Sequence, residues 1–220
     1  MAYNSSMETE RNLSTFLAGQ YWVFDLDGTL TLPVHDFTLI RSSLEVPDGA
    51  DILGHLAALP AEEARPLHAR LDAIERDLVT RTEAAPGARE LLGILARNGC
   101  RLGILTRNTR EIALLTLCHI GLSGYFQREA VLGRDEALPK PDPDGIHQLA
   151  RLWKTSPCDL VMVGDYLFDL QAGRAAGAGT IHVHGNRDRR WHDWTDLCVA
   201  SLEDLARRVH GSSPPTPQNF

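Results

Sequence analysis

Lysine is nearly absent from this 220-residue chain: Lys140 and Lys154 stand against 20 arginines. Chemistry that needs a primary amine therefore has two positions to draw on. Long apolar runs are missing too. None approaches the ~18–20 residues of a membrane-spanning helix, which excludes an integral α-helical membrane protein. The four cysteines, Cys100, Cys118, Cys158 and Cys198, are far apart and form no Cys-x-x-Cys pair. That spacing speaks against disulfides and metal ligation, and predicts free, buried thiols in a reducing cytoplasm. Positive charge is in deficit, with a formal net charge of −7, which argues against broad nucleic-acid binding. Residues Met1 to Glu10 are polar and acidic, where a secretory signal would be basic and then apolar, so none is expected. No internal repeat is present.

At 43% hydrophobic and 23% charged, the composition is that of an ordinary globular protein. The length suffices for one domain with a large insertion, or for two. The most informative stretch is Tyr21-Trp22-Val23-Phe24-Asp25-Leu26-Asp27-Gly28-Thr29-Leu30. Four residues with strand propensity run into two carboxylates spaced by one residue. Such a run reads as a buried parallel strand, and the carboxyl end of a strand in an open α/β sheet is where ligands bind. Two acids crowded there cost free energy unless a cation or a proton offsets them. The pair is poor structure and useful chemistry: one carboxylate can bind a divalent metal and attack while the other moves protons.

Beyond this strand the apolar period turns helical. Phe37, Ile40 and Leu44, then Ile52, Leu53, Leu56 and Leu59, then Leu67, Leu71, Ile74 and Leu78 form three stripes, punctuated by Pro47 and Pro60. Residues 35–84 thus read as a small all-helical insertion. Pro86 opens a new helix that ends at Gly99. Strands and helices then alternate: strand Arg101–Leu105, helix Thr109–Ile120, strand Ala130–Leu132, helix Pro143–Trp153, strand Leu160–Val163, helix Leu167–Ala176, strand Thr180–Val183 and helix Leu202–Val209. This alternation predicts an α/β fold with a parallel sheet and right-handed crossovers. The tail 212–220, rich in Ser and Pro, reads as disordered.

Three further polar clusters fall where the strands end. The first is Thr106-Arg107-Asn108, which leads into a helix whose free N–H groups suit an anion. Lys140 precedes Pro141, and Gly164-Asp165 is followed by Asp169 at the start of a helix. Strand ends of one parallel sheet converge on one face, so Asp25, Asp27, Thr106, Lys140, Asp165 and Asp169 can share a site. Four carboxylates, a lysine and a hydroxyl are the parts needed to hold Mg²⁺ and a phosphate.

In these clusters the chain resembles the haloacid dehalogenase-like superfamily of phosphohydrolases, in its phosphoglycolate-phosphatase-like subgroup. The first motif is Asp25-Leu26-Asp27-Gly28-Thr29-Leu30, the second Thr106 and the third Lys140-Pro141-Asp142-Pro143. The fourth runs from Gly164-Asp165 through Asp169 to Gly173, followed by Ala176-Gly177. The resemblance implies a Rossmann-like three-layer core, residues 1–34 and 85–211, with residues 35–84 as a helical cap. It implies a Mg²⁺-dependent phosphatase acting on a small phosphorylated metabolite; the expected location is the cytoplasm, and the oligomeric state, monomer or homodimer, stays open. Asp25 would be the nucleophile that becomes an aspartyl-phosphate, and Asp27 the acid and base. Thr106 and Lys140 would bind the phosphoryl group. Mg²⁺ would be held by Asp25, the backbone carbonyl of Asp27 and Asp165, with Asp169 acting through water or as an orienter.

Two departures from the family pattern border the expected substrate cavity. Arg107 stands where the family often has Asn, with Asn108 one position later. The stretch Leu32-Pro33-Val34-His35-Asp36 replaces a common Asp-Ser pair. Arg107 is a candidate phosphate ligand or reader of a second anion on the substrate, its rival role being an ordinary ion pair. Metal-free dehalogenation has no use for Asp27 or the metal acids, and a Schiff-base mechanism on a cap lysine is excluded because no lysine precedes Lys140. A sugar-phosphate mutase and a catalytically silent binding module remain the alternatives. The basic and aromatic segment from Asn186 to Trp194, interrupted by Asp188 and Asp193, reads as a solvated loop. His182 and His184 read as edge or strand-end residues.

Overall fold

The structure, a computed structural model, describes residues 17–184 and 191–212. Its centre is β1 (Tyr21–Phe24), in which Trp22, Val23 and Phe24 have no exposed surface. The run is apolar without alternation because both faces of the strand are covered. Around it lies a six-stranded, all-parallel sheet with β2 (Arg101–Leu105), β3 (Val131–Leu132), β4 (Leu160–Gly164), β5 (Gly179–Val183) and β6 (Leu197–Val199), in the order β3-β2-β1-β4-β5-β6. Trp22 is flanked by Leu102 and Val161, and Phe24 by Ile104 and Val163. From β1 the chain moves outward through β2 to β3, then returns to lay β4 on the other side of β1. The gap between the carboxyl ends of β1 and β4 is therefore a topological switch point, where side loops diverge and leave a crevice.

Between β1 and the rest of the sheet come three helices, α1 (Phe37–Ser43), α2 (Ile52–Ala57) and α3 (Ala61–Val79). They bury a core of their own, made of Ile40, Leu44, Val46, Leu53, Leu56 and Leu71. Asp36 caps α1, accepting from Leu39 N at 3.0 Å, and Asp51 caps α2, accepting from Gly54 N at 2.8 Å. The two connections to this unit are paired with each other: Leu32 N donates to Glu83 O at 2.9 Å and Ala85 N to Leu30 O at 2.8 Å.

The remaining helices form the outer layers. Trp22 and Phe24 pack with α4 (Ala88–Arg97), α5 (Arg110–His119) and α8 (Leu202–Ser212), whereas Val23 faces the side covered by α6 (Asp144–Trp153) and α7 (Leu167–Ala176). The architecture is a Rossmann-like α/β sandwich. None of the helices of the described residues is long and apolar enough to cross a membrane.

Some expectations need correction. Strand β6 was not foreseen, because three residues carry no readable period. With β6 outside it, β5 is an inner strand, so of the two readings of His182 and His184 the strand-end one holds and the edge one does not: His182 is fully buried one residue before the end of β5, and His184 follows it. The thiols are free as expected but not buried: Cys118 and Cys158 are exposed, Cys100 and Cys198 half-buried. An apolar neighbourhood in sequence does not choose which face of a helix or turn a cysteine occupies. Helix α8 reaches Ser212, and the expected disordered tail otherwise lies outside the described residues, as do Met1–Glu10 and residues 186–190 of the basic segment.

Candidate active site

Asp25 continues the ladder of β1, its N–H donating to Val163 O at 2.9 Å, and so projects from the switch point beside β4. The turn that follows brings the loop after β1 against the loop after β4. Gly28, at φ +90°, permits this: a Cβ there would lie 2.7 Å from Asp165 Oδ2. Thr29 Oγ1 donates to Asp165 Oδ1 at 2.9 Å and locks the contact. Gly164 leaves similar room on the next turn, since a Cβ would fall 2.3 Å from the Asp169 carboxylate.

Lys140 arrives from the loop before α6 and is 3% exposed. Its Nζ lies 2.5 Å from Asp25 Oδ1 and 2.6 Å from Asp169 Oδ1. The other oxygen of Asp169 accepts from Tyr166 N at 3.0 Å, so both oxygens of that carboxylate are engaged. Asp27 has a different set of partners. Its Oδ2 accepts from Asn108 Nδ2 at 2.8 Å and from Thr106 Oγ1 at 3.4 Å, and its Oδ1 lies 4.0 Å from His35 Nδ1. Thr106 in turn accepts from Asn108 N at 3.1 Å, which folds the loop after β2 towards Asp27.

Crowding these acids away from water has the expected electrostatic result. Burial, aided by Asp165 and Asp27 and opposed by Lys140, pushes Asp25 up to about 6. Burial likewise raises Asp27 to about 6 against Lys140 and Thr106, and raises Asp165 and Asp169 to about 6. For Lys140, burial pulls downward, but Asp169 and Asp25 outweigh it and hold the ammonium well above the ordinary lysine value. One lysine does not neutralise this many carboxylates. Oxygens of Asp25, Asp165 and Asp169 lie within 4.8 Å of one another, a cluster of hard donors suited to Mg²⁺.

The acids open into a cavity of about 340 Å³ roofed by α1, α2 and α3. Arg107 stands in its wall. Its Nη2 lies 2.5 Å from Asp51 Oδ1 at the start of α2 and its guanidinium carbon 4.9 Å above the Phe168 ring on α7, so it stands between the inserted helices and the sheet domain. A second arginine, Arg134, crosses the same boundary: it binds Glu75 at 2.8 Å and Asp72 at 2.5 Å on α3, and donates to Arg107 O at 2.8 Å. Glu75 lines the cavity, and burial pushes it up to about 7 despite Arg134, with Asp27 and Asp72 adding to the rise.

The structure thus brings Asp25, Asp27, Thr106, Lys140, Asp165 and Asp169 into one site, with Arg107 in the adjoining wall. Asp27's side chain stands apart from the three-acid cluster. Sequence reasoning had assigned no role to Asn108, His35, Glu75 or Arg134. Asn108 was legible as the polar neighbour of Thr106, and His35 as the break in the pattern after the first motif. Glu75 and Arg134 carried no signal, because only the packing of α3 over the β3–α6 loop joins them.

The model of the haloacid dehalogenase-like hydrolase family matches residues 46–183. An uncharacterized hydrolase of Saccharomyces cerevisiae is 29% identical over 194 residues, covering 85% of this chain and 89% of its own. A phosphoglycolate phosphatase of Nitrosospira multiformis is 33% identical, over 68% of this chain and 66% of its own. Among solved structures, a hydrolase from Pseudomonas syringae superposes with a TM-score of 0.72 at 21% identity, covering 88% of this chain and 98% of that one.

Proposed function

This chain belongs to the haloacid dehalogenase-like hydrolase family, and on that premise we propose that it is a Mg²⁺-dependent phosphomonoesterase working through an aspartyl-phosphate. One observation carries the reading: the two carboxylates at the switch point have separate partners. Asp25 sits on Lys140 and within the acid cluster, whereas Asp27 is held by the neutral donors Asn108 and Thr106. That is a division between a nucleophile and a proton carrier.

In this mechanism Asp25 attacks the phosphorus with the oxygen that Lys140 does not hold. The ester oxygen leaves with the proton of Asp27, whose raised pKa keeps that proton available near pH 6. The ionised Asp27 then takes a proton from a water that attacks the phosphoryl group, releasing phosphate and restoring Asp25. Thr106 and Lys140 steady the phosphoryl oxygens, where charge spreads during transfer. Asp25, Asp165 and the backbone carbonyl of Asp27 would hold Mg²⁺, which would supply further positive charge to the phosphoryl group. Asp169, with both oxygens engaged, orients Lys140. The expectation of a small metabolite in the cytoplasm is retained as part of this proposal.

The test is phosphate release from p-nitrophenyl phosphate with Mg²⁺ and with EDTA. Activity should require the metal, and Asp25→Asn should abolish both turnover and covalent labelling by the substrate. Hydrolysis that survives Asp25→Asn would remove Asp25 as the nucleophile. A sugar bisphosphate intermediate without net phosphate release would turn the reading to a mutase.

A further inference from the structure

The site's own charges constrain the alcohol that leaves. Among the described residues, six carboxylates line the cavity against three permanent cations, Arg41, Arg107 and Lys140. Each cation is already engaged. Lys140 bridges Asp25 and Asp169. Arg107 is paired with Asp51, and Asp51 is itself fixed by capping α2 through its other oxygen. Arg41 donates Nε to Ala50 O at 3.0 Å and an Nη to Phe37 O at 3.2 Å, holding the α1–α2 connection. His35 faces the carboxylate of Asp27. A second anion on the substrate would meet Asp51 and Glu75 on the cap side, and would have to share Arg107 with Asp51, whose charge already offsets it.

The rest of the cap-side wall is apolar: Phe37, Ile40, Ile52, Leu53 and Leu71, with Phe168 opposite. A cavity of about 340 Å³ falls within the range that encloses drug-sized ligands, far more than a two-carbon acid fills. Apolar walls favour desolvated carbon, and a carboxylate buried without a partner cation is strongly disfavoured.

We propose that the substrate is the phosphomonoester of an uncharged alcohol with an apolar body, and that carboxylate-bearing esters such as phosphoglycolate are discriminated against. The discrimination rests on the phosphomonoesterase reading and deepens it. Asp51 is the residue that keeps Arg107 from serving as a second anion receptor, which makes it a specificity determinant on the cap.

Three alkyl esters with similar alkoxide leaving groups separate charge from size: 2-phenylethyl phosphate, ethyl phosphate and phosphoglycolate, assayed by phosphate release with the full chain and Mg²⁺. The expected order of kcat/KM is phenylethyl, then ethyl, then phosphoglycolate, with at least ~10-fold between the first and last, the scale of discrimination that one pocket contact supplies. Asp51→Asn keeps a good helix cap while removing the charge that holds Arg107. It should raise the ratio of phosphoglycolate to phenylethyl phosphate turnover by roughly tenfold, the scale of one charge-assisted contact. Phosphoglycolate turned over as well as or better than phenylethyl phosphate would overturn this inference alone, as would a ratio unmoved by Asp51→Asn. Failure to hydrolyse any ester, p-nitrophenyl phosphate included, would overturn the phosphomonoesterase reading itself.

Discussion

Asp27 and Glu75 are both buried acids with raised pKa values, yet their surroundings assign them different tests. In the proposed mechanism Asp27, held by Asn108 and Thr106, moves a proton, so Asp27→Asn should lower turnover by ~10²–10⁴ while the nucleophile survives. A good leaving group needs less protonation, so in single-turnover acid-quench experiments p-nitrophenyl phosphate should lose less than an alkyl phosphate. Equal losses for the two would deny Asp27 the acid role. Glu75 is locked to Arg134 and serves as a stability probe. Its carboxyl is raised from 4.5 to about 7. Between those values the folded chain keeps the proton that the unfolded chain has lost, so stability declines as pH rises through the interval. The site aspartates, raised to about 6, act with the same sign at lower pH. Between pH 6 and 7 the metal-free protein should therefore lose thermal stability, and Glu75→Gln should flatten that slope. Melting curves across pH would show it, and an equally steep slope in the variant would assign the effect elsewhere.

Helix α3 connects this chemistry to the inserted helices α1–α3, the cap of the proposed enzyme. It holds Leu71 in the cap's core and presents Asp72 and Glu75, one turn apart, to Arg134. The Arg134 side chain is 6% exposed and also supports the carbonyl of Arg107, so one guanidinium ties α3 to the loop after β2. Removing one partner of such a buried pair costs ~3–5 kcal/mol, much of it from the charge left unpaired. Arg134→Met should therefore loosen α3 from the sheet domain without unfolding either core, since the cap cluster and the sheet cluster are separate. Faster hydrogen exchange confined to α1–α3 and the loop after β2 is the expected signature. Unchanged exchange there would show that apolar packing alone holds the cap.

At the scale of the whole molecule, Mg²⁺ binding at the proposed site would be coupled to folding through the switch point. Strands β1 and β4 meet only in the folded chain, so the three-acid cluster has no counterpart in the unfolded one. Mg²⁺ at a hundred times its dissociation constant should add ~2.7 kcal/mol of stability. For a chain of this size that is a rise in Tm of roughly 5–11 °C. The rise should be larger at pH 8 than at pH 5, where protons compete for carboxylates raised to about 6. Asp165→Asn should remove most of it. Calorimetric Mg²⁺ affinity equal to that of the unaltered protein would take Asp165 out of the ligand set.

The sequence by itself determined five of the six described strands, their parallel sense and the identity of the acids at the carboxyl edge of the sheet. Each of those depends on residues close together in the chain: Trp22 to Phe24 ahead of Asp25, Leu160 to Val163 ahead of Asp165, and the helical period of 37–78. Local pattern misses β6, whose three residues are too few to show a period. It also misses the pairing of Arg107 with Asp51 and of Arg134 with Glu75, partners 56 and 59 residues apart. Nothing near an arginine in sequence selects which distant carboxylate it will meet. That choice is made when the cap core settles over the switch point, and it falls to tertiary structure because ion pairs across a boundary follow from how two packed surfaces register, not from the residues that flank each charge.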